Sequence, residues 1–422
     1  MSMLLHRLST LPGGLRVATA RMPHVETVAV GVWIGAGTRH EPNDAAGVAH
    51  MLEHMAFKGT ERRDARRIAE EIESVGGSLD AHTSREYTAY YARLLAADLP
   101  LALDLVADIL QHSRLDEEEL ARERQVVLQE IAEVNDAPDD LVFDLFQEQA
   151  FPDQPLGRPV LGSRDSVAAM SREALCRFLR ERYVMPRTIV AAAGKVEHEE
   201  VEALAQSLFG GLAPDGRSAS PPARYRGGAR LVEREFDQIH LLLGFPAVSY
   251  TDPDYFALHL LSNILGGGMA SRLFQEVRER RGLAYSVFSF ASCFSDAGLF
   301  GVYSSTEPER AAELVFTLCD ELLRFGEGPT EEELARARKQ LEASLLMSLE
   351  SCGAVAEDMA RQLLFYGRRL PVPELVERIE AVDREQIRRL AQRLLAATAP
   401  TLAAIGPLAG FPDFDTIRSR LS

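Results

Sequence analysis

Gly210 to Gly228 reads GGLAPDGRSASPPARYRGG, dense in Gly, Pro, Ser and Arg and without an apolar period. Such a run has no face to bury and reads as a linker. It divides the 422-residue chain into two nearly equal parts, 1–210 and 229–422, joined by 211–228. At roughly 100–200 residues per domain, two domains are expected.

Outward from the linker, both parts repeat one order of elements. Thr27 to Ile34 (TVAVGVWI) is a β-branched run that predicts a strand; a turn around Glu41–Asp44 and a helical pattern from Ala45 to Phe57 follow. In the second part, Ile239 to Phe245 (IHLLLGF) is the strand, Thr251-Asp252-Pro253 the turn and Tyr255 to Leu265 the helix. The strand Glu86–Leu94 and the helix Ala96–Gln111 likewise match the strand Gly298–Ser304 and the helix Glu307–Arg324. An offset of about 211 residues serves both comparisons. One ancestral unit used twice is the simplest account. Strands and helices without strict βαβ alternation predict an α+β fold: two homologous halves, each an antiparallel-rich sheet packed with helices. Glu117 to Asn135 and His198 to Leu208 read as further helices, Thr188 to Gly194 and Thr401 to Ile405 as strands.

Composition narrows the function classes. Hydrophobic residues make up 46% and charged residues 26%, enough for large cores. A formal net charge of −17 argues against nucleic acid and against an anionic membrane surface, both of which need clustered Lys and Arg. Cys176, Cys293, Cys319 and Cys352 form no C-x-x-C pair, so buried thiols in a reducing compartment are expected. The apolar run Met3–Leu5 is too short for a secretory signal, and no stretch reaches the ~18 apolar residues of a membrane span. The expectation is a soluble cytoplasmic protein.

The chemistry concentrates in His50-Met51-Leu52-Glu53-His54. His50 and His54 lie one helical turn apart and project from one face. Two imidazoles so placed can bind one Zn²⁺ at about 2.0–2.1 Å. Glu53 reaches the same face, where a carboxylate can take a proton from a zinc-activated water without being a ligand. The order H-x-x-E-H marks the inverzincins. Val48, Met51, Leu52, Met55 and Phe57 set these histidines close to a core. A catalytic zinc needs a third protein ligand and one open position. The helix Glu117–Asn135 offers Glu123, Glu130 and Glu133, and spacing alone does not choose among them. The run Gly266–Met269 (GGGM) lacks a following G-K-[ST] and reads as a helix-ending turn.

At these residues the chain resembles the pitrilysin/insulinase inverzincins, especially short bacterial members similar to the mitochondrial processing peptidase β subunits. The resemblance covers essentially the whole chain. It rests on GVAHMLEHMAFKGT (Gly47–Thr60), GGSLDAHTSREYT (Gly76–Thr88), ERQVVLQEI (Glu123–Ile131), GGGMASRLFQEVR (Gly266–Arg278) and RGLAY (Arg281–Tyr285). It implies that Glu130 is the third zinc ligand and that Glu123 supports the site from behind. It implies that Arg278 and Tyr285 grip the scissile carbonyl region, where a phenol or guanidinium donor would stabilise an oxyanion. It implies that an edge strand carrying Asp80 and Ala81 pairs with the substrate backbone. Asp80 stands where the family has Asn, a change that points toward basic substrates. The family's fold is half of a clamshell. A homodimer would close it around unfolded peptides, with each site shared between chains. The rivals are a non-catalytic scaffolding subunit of the same fold and a zinc hydrolase of non-peptide amides. The presence of His50, Glu53, His54 and Glu130 favours the endopeptidase.

Overall fold

Thr27–Ile34 forms a strand buried along nearly its whole length. The reason is a helix layer on each face of its sheet. Val28, Val30 and Val32 point into a core shared with Met51, Leu52 and Met55. Ala29 and Trp33 point the other way, against Val355, Met359 and Leu363. A strand covered on both sides reads as a continuous apolar run, which is how TVAVGVWI reads.

The computed structural model describes residues 5–216, 220–396 and 399–421; linker positions 217–219 lie outside the described residues. The first sheet contains β1 (Leu5–Thr10), β2 (Arg16–Arg21), β3 (Thr27–Ile34), β4 (Ser78–Thr83), β5 (Thr88–Leu95) and β6 (Thr188–Gly194). Its order is β1-β2-β6-β3-β5-β4. The second contains β7 (Gly228–Glu233), β8 (Ile239–Ala247), β9 (Val287–Cys293), β10 (Gly298–Thr306) and β11 (Thr401–Gly406), in the order β7-β11-β8-β10-β9. Dropping β1 makes the two orders equivalent. In each sheet one pair is parallel, β2 with β6 and β7 with β11, and the other pairs are antiparallel. The fold is α+β with one plan used twice.

Two compact units result, and they depart from the contiguous halves of the sequence. The first comprises Met1–Ala132, Arg158–Pro221 and Leu346–Arg369; the second comprises Glu133–Gly157, Pro222–Leu345 and Leu370–Ser422. The difference lies in two exchanged helices. Cys352–Tyr366, from the second half of the chain, covers the outer face of the first sheet through Val355, Met359 and Leu363. Pro138–Ala150, from the first half, covers a face of the second sheet by packing Val142, Phe146 and Ala150 on Leu242, Tyr303, Ala403 and Ile405. Burying a large apolar side chain stabilises by about 2 kcal/mol, so each exchanged helix contributes substantially to a sheet distant from it in sequence.

Three sequence-derived boundaries shift for local reasons. The helix expected from Ala45 begins at Val48, because Gly47 before it is left-handed, with φ 88°. The helix expected from Ala96 opens with a 3-10 turn, Ala96–Asp98, before Leu99–Gln111. The helix expected from Glu307 begins at Ala311, after the 3-10 turn Pro308–Arg310. The GGGM segment does follow a helix end, at Gly266.

Candidate metal centre

The helix Val48–Ala56 carries the H-x-x-E-H residues, and its amphipathic sequence fixes which way they face. Val48, Met51, Leu52 and Met55 are buried in the first core. Its amino end is held by Glu41, a buried carboxylate that accepts from Gly47 N–H and Ala49 N–H, both at 2.8 Å. Burial pushes this carboxyl up to about 8, against the pull of the two backbone N–H groups and of Arg158. A side chain on residue 47 would strain the left-handed backbone and meet Leu161 O at 2.7 Å, so the tight entry requires glycine.

The remaining face of the helix presents His50 and His54, with ring centroids 4.6 Å apart. A second helix, Glu117–Asp136, brings Glu130 opposite them. His50 Nε2 lies 3.8 Å from Glu130 Oε2, and His54 Nε2 lies 3.6 Å from Glu130 Oε1. One ligand atom from each residue falls within 4.8 Å of the others, the one such group of three or more metal-ligating side chains among the described residues. Tetrahedral ligands at about 2.05 Å from zinc sit about 3.3 Å apart, so small adjustments would close this triangle on an ion.

The chemistry of the donors also fits a metal. His54 Nδ1 is 2.9 Å from Glu123 Oε2, and Glu123 Oε1 is 2.7 Å from Lys58 Nζ. Glu123 is buried and ionised: burial opposes its charge, while bonds from Lys58 and His54 hold its carboxyl below the ordinary range. A carboxylate on Nδ1 places the proton there and leaves the Nε2 lone pair facing Glu130, the arrangement common behind metal-bound histidines. Burial is the larger cause that pushes His50 down to about 4, so its imidazole is neutral at neutral pH.

Glu53 stands beside this group without contributing a ligand atom to it. Its Oε2 accepts a hydrogen bond from Thr83 Oγ1. Burial raises its carboxyl above the ordinary range; Thr83 and His54 oppose the shift, and Asp80 and Glu130 add to it. Thr83, Ala81 and Asp80 belong to β4, the edge strand of the first sheet. Asp80 Oδ1 accepts from Ala81 N–H at 2.9 Å, and its backbone pairs with Tyr91 on β5.

Arg278 and Tyr285 lie in the second unit and meet each other there. Arg278 sits in the π-helical turn Phe274–Arg280, with its guanidinium 4.2 Å over the Tyr285 ring and 4.8 Å over the Phe274 ring. Its Nη1 donates to Tyr285 O at 3.2 Å. The Tyr285 side chain is 77% exposed, leaving its ring accessible from outside the unit.

The structure adds two residues to those read from sequence. Lys58 holds Glu123, and Thr83 holds Glu53. Lys58 lies just past the end of the motif helix, in the turn after Phe57, where its backbone N–H donates to Met55 O. Thr83 follows Ala81 at i+2, the spacing that puts both on one face of a strand. The strand alternation is visible in sequence but does not name the partner, and Lys58 carries no such periodic signal.

Known proteins resemble this chain along both of its halves. The family profile described as Insulinase (Peptidase family M16) matches residues 16–164, and the one described as Peptidase M16 inactive domain matches 169–341. An uncharacterized zinc protease of Streptomyces coelicolor is 42% identical over 412 residues, covering 95% of this chain and 90% of that protein. The probable mitochondrial-processing peptidase subunit beta of Arabidopsis thaliana is 39% identical over 429 residues, covering 98% and 81%. Among solved structures, a protease from Helicobacter pylori superposes with a TM-score of 0.88 at 25% identity, covering 96% of this chain and all (100%) of that one. With both halves matched in order and relatives this similar along nearly the full length, the chain belongs to the insulinase family, peptidase family M16.

Proposed function

We propose that the chain is a zinc-dependent endopeptidase acting on unfolded peptides. The observation that carries the reading is the gathering of His50 Nε2, His54 Nε2 and a Glu130 oxygen, with Glu53 beside them but not among them. His50, His54 and Glu130 would hold the ion, and Glu123 would orient His54. A zinc ion so held supplies the Lewis acidity that activates water and polarises a carbonyl. Glu53 takes the proton of the attacking water and can later deliver it to the leaving amine. An extended substrate pairs along the outer edge of β4, where Asp80 and Ala81 present backbone groups and Asp80 adds a charge that favours basic side chains. Tyr285 and Arg278 donate toward the oxygen that becomes negative. Names of relatives support the class: several are zinc proteases.

In this reading a homodimer forms the working enzyme and encloses a chamber that excludes folded proteins. No described helix is long and apolar enough to cross a membrane, and none of the described cysteines is disulfide-bonded, which suits a reducing cytoplasm. A scaffolding role would leave these groups without a task.

The ligand assignment has its own test. Removing an anionic ligand by Glu130→Gln should weaken zinc binding by a factor on the order of ten to a thousand, with hydrolysis falling in parallel. Glu133→Gln should leave zinc affinity nearly unchanged. A chelator competition titration measures both, and the opposite ranking would transfer the role to Glu133.

A further inference from the structure

We propose that Thr83 is the positioning residue of the general base: its hydroxyl occupies Glu53 Oε2 and leaves Oε1 as the one oxygen aimed at the attacking water. The assignment rests on the endopeptidase reading above and deepens it.

Glu53 has no rigidity of its own. It is a half-buried side chain with three rotatable torsions on a helix, and fixing such a chain costs roughly 1.5–2 kcal/mol of rotamer entropy. Among the described residues, its side-chain hydrogen bond comes from outside the helix, from Thr83 Oγ1. Thr83 is suited to act as a fixed post, because a β-branched side chain has few accessible χ1 states. The backbone beneath it is also pinned. Thr83 pairs with Thr88 at the end of the β4–β5 ladder, Thr88 Oγ1 donates to Ala36 O at 2.9 Å, and the hairpin beyond closes through Ser84 N–H to Tyr87 O at 2.8 Å. Leu79 and Ala81, on the same face of β4 as Thr83, pack against the core that holds Met51 and Met55. Alternation along the strand therefore turns Thr83 toward the motif helix, and Asp80 and His82 toward the opposite face.

Position in the sheet gives the contact a further meaning. β4 is the edge strand along which the extended substrate pairs. One strand then sets both the line of the scissile bond and the orientation of the base. A displacement of about 1 Å at a reacting group can cost a factor of about a hundred, so a shared support for both partners of the reaction has kinetic value.

The test compares two substitutions in the full-length, zinc-loaded protein with one quenched peptide. Thr83→Val keeps the shape and loses the donor; Thr83→Ser keeps the donor and loses a methyl. For Thr83→Val, kcat should fall on the order of 10- to 100-fold. KM and zinc affinity, the latter by chelator competition, should each stay within about twofold, because neither the ligands nor the strand edge is touched. Thr83→Ser should return kcat to within about threefold of the unsubstituted protein, since the donor is restored. Undiminished kcat in Thr83→Val overturns the role. So does a Thr83→Ser variant as slow as Thr83→Val, or a loss of zinc affinity that accounts for the loss of rate. The unsubstituted protein separates this assignment from its foundation. If it shows no zinc-dependent hydrolysis, the endopeptidase reading fails and takes this role with it. A normal unsubstituted protein beside a fully active Thr83→Val removes the Thr83 role alone.

Discussion

Glu53→Gln should leave the zinc content of the protein intact and slow peptide hydrolysis by roughly a hundred- to ten-thousandfold, the range that general acid–base groups contribute. The two expectations separate because Glu53 lies outside the candidate ligand group of His50, His54 and Glu130. Glutamine has nearly the same shape, and its amide oxygen can still accept from the Thr83 hydroxyl, so the local packing survives. What it lacks is a lone pair basic enough to take a proton at neutral pH. Metal analysis and steady-state kinetics on the same sample read both halves of the expectation. Substantial hydrolysis by the zinc-loaded variant would move the base to another group.

The second large effect is a recovery of activity. The candidate ligand group His50, His54 and Glu130 lies in the first unit and the Arg278–Tyr285 pair in the second. In the proposed dimer, the pair of one copy serves the zinc of the other, giving two equivalent sites. Glu53→Gln and Tyr285→Phe chains, each nearly inactive alone, should then complement each other. In a mixed dimer one site draws both of its contributions from unmutated segments, and its other site carries both lesions. Random pairing makes about half of the dimers mixed, so about a quarter of native activity should return by this symmetry arithmetic. If each chain's Arg278 and Tyr285 served its own zinc, every site would carry a lesion and co-expression would restore nothing. Differently tagged copies establish that subunits have paired.

Much of this fold is legible in sequence because β-branched runs and helical periodicity are local signals. The strands Thr27–Ile34 and Thr188–Gly194 and the helix His198–Leu208 have the limits that their residues suggest. The exchange of Pro138–Ala150 and Cys352–Tyr366 is not legible in the same way. An apolar stripe on Val142, Phe146 and Ala150 says that a face is buried, but not against which sheet. Edge strands are faint for a related reason. β1 reads LHRLST and is largely exposed, so burial leaves little alternation in it. At the candidate site, i and i+4 spacing suffices to pair His50 with His54, because both lie on one helix. The partners from other elements are another matter. Three glutamates of one helix compete for the third ligand position on spacing, and only resemblance singled out Glu130. The bonds Lys58–Glu123 and Thr83–Glu53 join segments whose proximity is set by the packing of the whole unit.

Metal stoichiometry coupled to turnover decides whether His50, His54 and Glu130 hold a catalytic zinc. The full-length protein, purified without added metal, should contain about one zinc per chain and cleave a quenched unfolded peptide. Dialysis against a chelator should remove zinc and hydrolysis together, and titration with zinc should restore rate in proportion to occupancy, levelling at one equivalent for a single site of this donor set. Hydrolysis that persists in metal-free protein, or a protein that takes up no zinc at these residues, would contradict the account.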